Sequence, residues 1–502
     1  MSIEDFGAFR ERMAPLWMRS RALCGGTQSM RRYGRTYLPA FERETDKNYK
    51  RRLDLASLTN FYVKARNQMI GEIFREDVLL EDSSLPDDIT ENIDRRGSTM
   101  QIFAERVTET LLQKSVCGIL IDHPQNPGNL NAREEQLLGM RHYWTLIQPD
   151  QVIDVRATYA SGREVISHVR WLEDHTVPVR DSPFDFYYEQ RICVLDRPIL
   201  ETEDGRTQLG RPRGRIYKAE QVDGDLAKLG AVRGSFTPIT DWQDLVGFDE
   251  IPFVIAQVNR ESLFVGNPPL ADIAEKNIQH WRQSSNLGNA LEIGAFPLFV
   301  RYGLPQSSGL QIGEDGEPLP ENDDGEAIIG PHVIMDMPSK IEGADAQYVE
   351  PSGRAYEALE RGLDRIIREA ELMALDLLTR QFQKTATEAN YDRITAMAPL
   401  QRVAMEVERA MNVALGMTAS ARDGSPEPGK LSISKDFGIS TSDAIRVQAL
   451  RDARAIGDIT AETYVSELQK IGALSADLDP RLEVVNARAN DDDIRDNRQI
   501  VG

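Results

Sequence analysis

Apolar positions recur most regularly late in the chain, across residues 352–411. RAYEALERGLDRIIREAELMALDLL sets Tyr356, Leu359, Leu363, Ile366, Ile367, Ala370, Met373, Ala374 and Leu377 on one side of a 3.6-residue period. Arg361, Asp364, Arg365, Arg368 and Glu371 fall largely off that side. The pattern predicts a helix over 354–378, about 37 Å long at 1.5 Å per residue. TRQFQKTATEANYD, 379–392, breaks the period. RITAMAPLQRVAMEVERAMNVAL then restores it, with Met397, Leu400, Ala404, Val407, Met411 and Ala414 in nearly heptad steps and Gly416 as the stop. The stretch reads as a rod with a polar joint. Ordinary packing accounts for such stripes, so they establish helices and not a function.

The preceding chain changes period several times. RERMAPLWMRSRALCGG predicts a short helix and MRRYGRTYLPAF an extended aromatic segment. Residues 44–77 predict one longer helix, with Leu53, Leu58, Phe61, Tyr62, Ala65, Met69 and Ile70 as its stripe. Gly97 and Ser98 precede a helix bearing Phe103, Val107, Leu111 and Leu112, which delivers the short apolar strand GILID. Over 141–260 the alternating runs YWTLIQPDQVIDV, EVISHVRWL, DFYYEQRICVL, GRIYKAEQV and IPFVIAQV, parted by Gly, Pro and Asp, predict antiparallel β structure. Pro268 and Pro269 open a third substantial helix with Leu270, Ile273, Ala274, Ile278 and Trp281 on one face. FPLFVRY and HVIMDM lie in a strand-rich insert at 296–351. After the linker ASARDGSPEPGK come a short strand and two helices separated at 455–458, with Thr460 as N-cap, and an acidic tail. The fold class expected is α+β.

Composition narrows this picture. A chain of 502 residues, 41% hydrophobic and 28% charged, is globular in character and long enough for several packed units. No apolar run reaches the roughly 20 residues of a membrane span, and MSIEDFGAFRER is no secretory signal. The three cysteines, Cys24, Cys117 and Cys193, are odd in number and scattered, which fits reduced thiols in a cytosolic setting. A net charge of −21 opposes a broad basic face gripping nucleic acid, yet suits a surface past which DNA must slide. The arginines Arg31, Arg32, Arg51 and Arg52 read as a solvated or inter-subunit face, with a phosphate patch as the alternative.

Catalytic motifs are wanting. GSPEPGKL has the spacing of a P-loop but lacks its hydroxyl at Leu431, loses N–H donors at Pro426 and Pro428, and leads into a strand. His123, His142, His168, His175, His280 and His332 show no paired metal-site spacing. The acidic runs PENDDGE and ANDDDIRD lack the ligand pattern of a calcium loop. Asp122 and His123, at the end of GILID, are the one place for an α/β enzyme's site, and a satisfied loop pair is the simpler reading. No cofactor is expected, and the balance points toward a structural or assembly role.

The order of parts resembles a tailed-phage portal protein, of the subgroup long labelled only as a domain of unknown function. The stretches that carry the resemblance are RRYGRTYLPAF, YKRRLDLASLTNF with IGEIF, IDRRGSTMQIFAERV with GILIDHP, GFDEIPFV, PPLADIAEKNIQHWRQSSN, YVEPSG and KTATEANYD, over about residues 30 to 475. The resemblance implies an α/β wing at 1–265, an outgoing stem helix at 266–295, a clip at 296–351, a returning stem helix at 352–378, a tunnel loop at 379–392, a wing helix and linker at 393–432, a helical crown at 433–475 and a flexible tail at 476–502. It further implies a homo-oligomeric ring, usually a dodecamer, assembled in the host cytoplasm and sitting at one capsid vertex of the virion. DNA would be packaged and ejected through it without sequence specificity. Its partners would be terminase, head-completion or adaptor proteins, and the major capsid protein or scaffold, with no membrane. Thr379, Gln381, Gln383, Lys384, Thr385, Thr387 and Asn390 would face the channel, and Lys276, Arg282, Arg361, Arg365 and Arg368 would lie on the stem helices. Another virion structural protein, a capsid or adaptor subunit, is the alternative.

Overall fold

The computed structural model describes residues 3–83, 85–124, 133, 140–160, 162–179, 184–201, 207–219, 236–294, 298–302, 334–337, 345–349, 353–378, 399–423, 428–435, 450–470 and 481–482. Among the described residues helices are mixed with sheets whose strands are antiparallel except for one parallel pair, an α+β architecture. The chain forms two compact units, Met1–Arg380 with Thr385–Lys435, and Gln381–Lys384 with Asp436–Gly502.

The first unit is built around one helix–strand junction. Helices α1 (Phe9–Cys24), α2 (Gly26–Tyr33), α3 (Asp46–Leu55), α4 (Phe61–Ile73) and the single turn α5 (Asp87–Thr90) precede α6 (Met100–Lys114). Gly97 and Ser98 precede α6 as the sequence suggests, and Thr99 caps it by accepting from the Ile102 N–H. Ser115, at φ 64°, turns the chain out of α6 and into β2 (Val116–Asp122). Strand β2 lies between β3 (Tyr143–Ile147) and β12 (Phe253–Gln257), antiparallel to both. Gly118 sits under the Phe253 ring so closely that a Cβ would fall 2.1 Å from Phe253 Cζ. α1 closes this sheet through Trp17 Nε1, which donates to the Lys114 carbonyl at 3.0 Å, and Ser20 Oγ, which donates to the Gln113 carbonyl.

A larger sheet follows, ordered β10–β9–β6–β5–β4, with β11 also on β9. Its strands are β4 (Val152–Ala160), β5 (Arg163–Pro178), β6 (Phe186–Asp196), β9 (Arg213–Ala219), β10 (Phe236–Pro238) and β11 (Gln243–Asp244), while β7 (Ile199–Glu201) and β8 (Thr207–Leu209) pair separately, as do β13 (Arg260–Ser262) and β14 (Val265–Gly266). All pairs are antiparallel, as the alternating runs over 141–260 predict. One face of β4–β6 joins Val155, Val169, Trp171 and Cys193 to the main core with Phe9, Met13 and Phe253; the other packs Ile153, Ile192 and Val194 in a smaller cluster. Burial on both faces explains why these strands read as dense apolar runs.

Several local expectations are corrected. The segment from Met30 to Phe41 is not extended, because MRRY completes α2 and Gly34–Thr36 adds a 3-10 turn. Residues 44–77 form two helices. The chain breaks after Leu55, and Asn60 starts α4 anew by accepting from the Val63 N–H while its amide donates to the Leu23 carbonyl. Arg52 belongs to neither of the surfaces proposed for the arginines. Its side chain is 1% exposed and meets Glu44, 6% exposed, in a two-pronged ion pair at 2.8 and 2.7 Å. Arg31 donates to the Ala56 carbonyl and Arg51 pairs with Glu292.

The helix after the polar joint, α9 (Pro399–Asp423), runs through Gly416 rather than stopping there. Leu400, Ala404, Val407, Met411 and Ala414 are all buried, as their heptad spacing predicts. β18 (Lys430–Ser432) then pairs with β1 (Leu79–Glu81), and Asn412 of α9 brackets Leu431 by donating to its carbonyl and accepting from its N–H. Ile433–Lys435 belong to the first unit. The described part of the second unit has a helical segment at 450–456 and α10 (Ala461–Lys470), whose Thr460 cap accepts from the Thr463 N–H as expected.

Candidate functional site

A long helix pair stands out. α7 (Ala271–Gly294) and α8 (Arg354–Leu378) are 24 and 25 residues long, and the short strands β15 (Leu298–Tyr302), β16 (Ile334–Met337) and β17 (Asp345–Val349) lie between them in sequence. β15 pairs in parallel with β16 and antiparallel with β17. The helices run antiparallel. Lys276 of α7 pairs with Glu369 of α8, and seven residues further along α7 Gln283 lies against Gly362, seven residues back on α8. The Lys276 ammonium donates to Glu369 and holds that carboxyl below its ordinary value.

α7 is anchored along one side from Ile273 to Leu287. Ile273, Ala274, Ile278 and Trp281 are buried, and Asn277, fully buried, accepts from the Tyr62 N–H at 2.9 Å and donates to the Thr59 carbonyl at 2.9 Å. Asn277 thereby fixes α7 to the start of α4. The sequence carries no sign of this role beyond one polar residue within an apolar stripe. Arg282 Nε donates to the Tyr37 carbonyl at 3.0 Å.

α8 is covered far less. Only Ile366 and Ala370 of its described side chains are buried, while Tyr356, Leu359, Leu363, Ile367, Met373 and Ala374 remain partly open. Arg361, Arg365 and Arg368 step by four and three, so they share one stripe turned away from Ile366, and all three are exposed. Arg361 Nε donates to the Glu357 carbonyl and Arg365 pairs with Glu369 at 3.5 Å. The five cations singled out on these two helices therefore split into two sets. Lys276 and Arg282 tie elements together, and the three arginines form an outward ridge. Thr379, Gln381, Gln383, Lys384, Thr385, Thr387 and Asn390 lie outside the described residues.

The alternative site at Asp122 and His123 is a small polar cluster. Tyr143 Oη donates to Asp122 at 2.7 Å, and the Asp122 side chain also accepts from the His123 N–H. The rings of His123 and His142 are 4.9 Å apart, and Phe248 covers His142. Burial, then the nearby His123 and Arg422, pushes His142 down to about 4. Among the described residues no group of three or more His, Cys, Asp or Glu side chains has the placement to hold a metal ion. A groove of about 350 Å3 lies elsewhere, between the β4–β5 turn, β12 and α9, and neither Asp122 nor His123 lines it.

Comparisons with known proteins place this region in context. The family model described as "Domain of unknown function (DUF4055)" matches residues 269–420, which run from α7 through most of α9. No curated protein matches the chain. Among solved structures, a chain of the neck of an empty gene transfer agent particle, computed with C6 symmetry, is 12% identical at a TM-score of 0.36, over 82% of this chain and 89% of that one. A chain of the virion of a native gene transfer agent particle is 12% identical at a TM-score of 0.34, over 91% and 98%. A chain of the neck of a native particle, computed with C12 symmetry, gives 12% and 0.34 over 81% and 88%.

Proposed function

We propose that the chain is a portal-type subunit, one copy of a ring-shaped virion channel at a capsid vertex. The carrying observation is the α7–α8 hairpin. Two helices of about 36 Å stand antiparallel with a small sheet between them in sequence, and the apolar stripe of α8 is left half covered by its own chain. A neighbouring copy would complete that cover, as rings of identical subunits do. The ridge of Arg361, Arg365 and Arg368 and the polar residues of 379–392 would then border the lumen. Hydroxyls, amides and sparse cations there touch phosphates weakly and without reading sequence. The net charge of −21 opposes tight retention of the passing DNA. The strands between α7 and α8 would face terminase during packaging and a head-completion protein afterwards.

The test is the mass of the purified chain in solution. A particle of about twelve chain masses, reduced to single chains by Leu359→Asp with Leu363→Asp, supports the reading. A wild-type chain that stays monomeric at every concentration overturns it.

A further inference from the structure

The β5–β6 hairpin outruns the sheet that holds it. β4 pairs with β5 only as far as Trp171 and β9 with β6 only as far as Arg191, whereas β5 and β6 stay paired out to Pro178 and Phe186. Residues 173–178 and 186–190 thus form a two-stranded ribbon, with no third strand beside it among the described residues, about 20 Å long at ~3.4 Å per residue. Such a ribbon is marginal in water without something to pack on. Its sequence is made for packing. On the face continuous with Ile192 and Val194, alternation brings Pro178, Phe186 and Tyr188 together. The Phe186 and Tyr188 rings meet edge to face at 5.4 Å, and both remain more than half exposed. Phe184, just beyond, is 89% exposed.

The groove of about 350 Å3 sits at the opposite end of the same strand, lined by Val165, Ile166, Ile255, Leu263, Val413 and Met417. Its three rim carboxylates are already matched: Glu164 with Arg260 at 2.6 Å, Glu250 with Arg163, and Glu406 with Arg409 at 2.7 Å. A charge-balanced rim around an aliphatic floor suits an uncharged, aromatic occupant. The ribbon cannot fill the groove of its own chain, because Val165 and Val177 lie about 40 Å apart along a paired strand.

We propose that the aromatic ribbon of one copy seats in the groove of the next, an inference that rests on the ring reading above. A knob and a socket on different parts of one chain make a head-to-tail contact, the kind that closes into rings. The strand then sets the spacing between copies. A repeat of about 40 Å closes a twelve-membered ring at a radius of about 75 Å, measured at the groove.

Cysteine cross-linking tests the contact in the full chain, in a Cys24→Ser background since Cys117 and Cys193 are buried. Tyr188→Cys combined with Val413→Cys should give, on oxidation, a ladder of covalent multimers on a non-reducing gel, and neither single variant should. Phe186→Ser with Tyr188→Ser should raise the concentration needed for ring assembly by roughly tenfold or more, with circular dichroism and thermal unfolding of the chain unchanged. Rings that persist at the wild-type concentration without a ladder overturn the docking while leaving the ring reading in place. A disulfide-linked dimer formed by either single variant in the same yield also overturns it. A monomeric wild type overturns both.

Discussion

Arg52→Leu is the sharpest probe of how the N-terminal helices are held. The Arg52 guanidinium grips Glu44 with two hydrogen bonds, donates to the Pro39 carbonyl at 2.9 Å, and lies over the Phe41 ring at 4.4 Å. Glu44 also accepts from the Phe41 N–H, so this one pair closes the loop between α2 and α3. Removing the arginine strands a buried carboxylate, and breaking a buried pair from one side costs about 3–5 kcal/mol. Replacing both residues by leucine should recover most of that loss, because no uncompensated charge remains. A chain with two units need not unfold in one step, so amide exchange across residues 38–56 is the appropriate readout, alongside urea unfolding. Acid adds a second signature. Hydrogen bonding to Arg52 holds Glu44 below its ordinary 4.5, so the unfolded chain takes up the proton first as pH falls. The pair's contribution is therefore full above about 4.5 and disappears as pH drops through the folded value. Arg52→Leu should lose this part of the acid sensitivity. Exchange and unfolding identical to wild type would refute the account and restore Arg52 to the surface.

Two further outcomes follow from the core. Gly118→Ala should destabilise the first unit by roughly 3 kcal/mol or more in urea unfolding, since its Cβ has no room beneath Phe253, and Phe253→Leu in the same chain should return part of it; an unchanged midpoint for Gly118→Ala would refute the close packing. His142 stays neutral in the folded chain down to about 4, so the unfolded chain binds a proton first below about 6.5 and stability declines between those values. His142→Gln should flatten that part of the stability profile, and an unaltered profile would assign the decline to other groups.

Legibility followed the scale of the signal. α8 was readable to its ends because nine apolar positions repeat the same period, and the buried residues of α9 were readable for the same reason. The errors lie where a single residue decides. Asn60 inside LASLTNF looks like one polar residue of a helix until its side chain is seen capping a new one. Gly416 suggests a stop, yet a Cβ built there meets nothing within 4 Å, and the helix continues on the strength of Thr418 and Ala419, both buried. Arg52 belongs to a basic run, and no local pattern reveals that Glu44, eight residues earlier, neutralises it. The long hairpin was legible as two helices flanking strands. Its clamp at Asn277 and the pairing of Lys276 with Glu369 were not, because both depend on partners far away in sequence.

Electron cryomicroscopy of the purified wild-type chain decides whether its copies enclose a channel. A closed ring with a central channel is expected, with one α7–α8 hairpin per copy forming its wall, Arg361, Arg365 and Arg368 facing the lumen, and Leu359 and Leu363 against the neighbouring copy. Single chains, a closed shell, or a ring whose hairpins point away from the channel would contradict it.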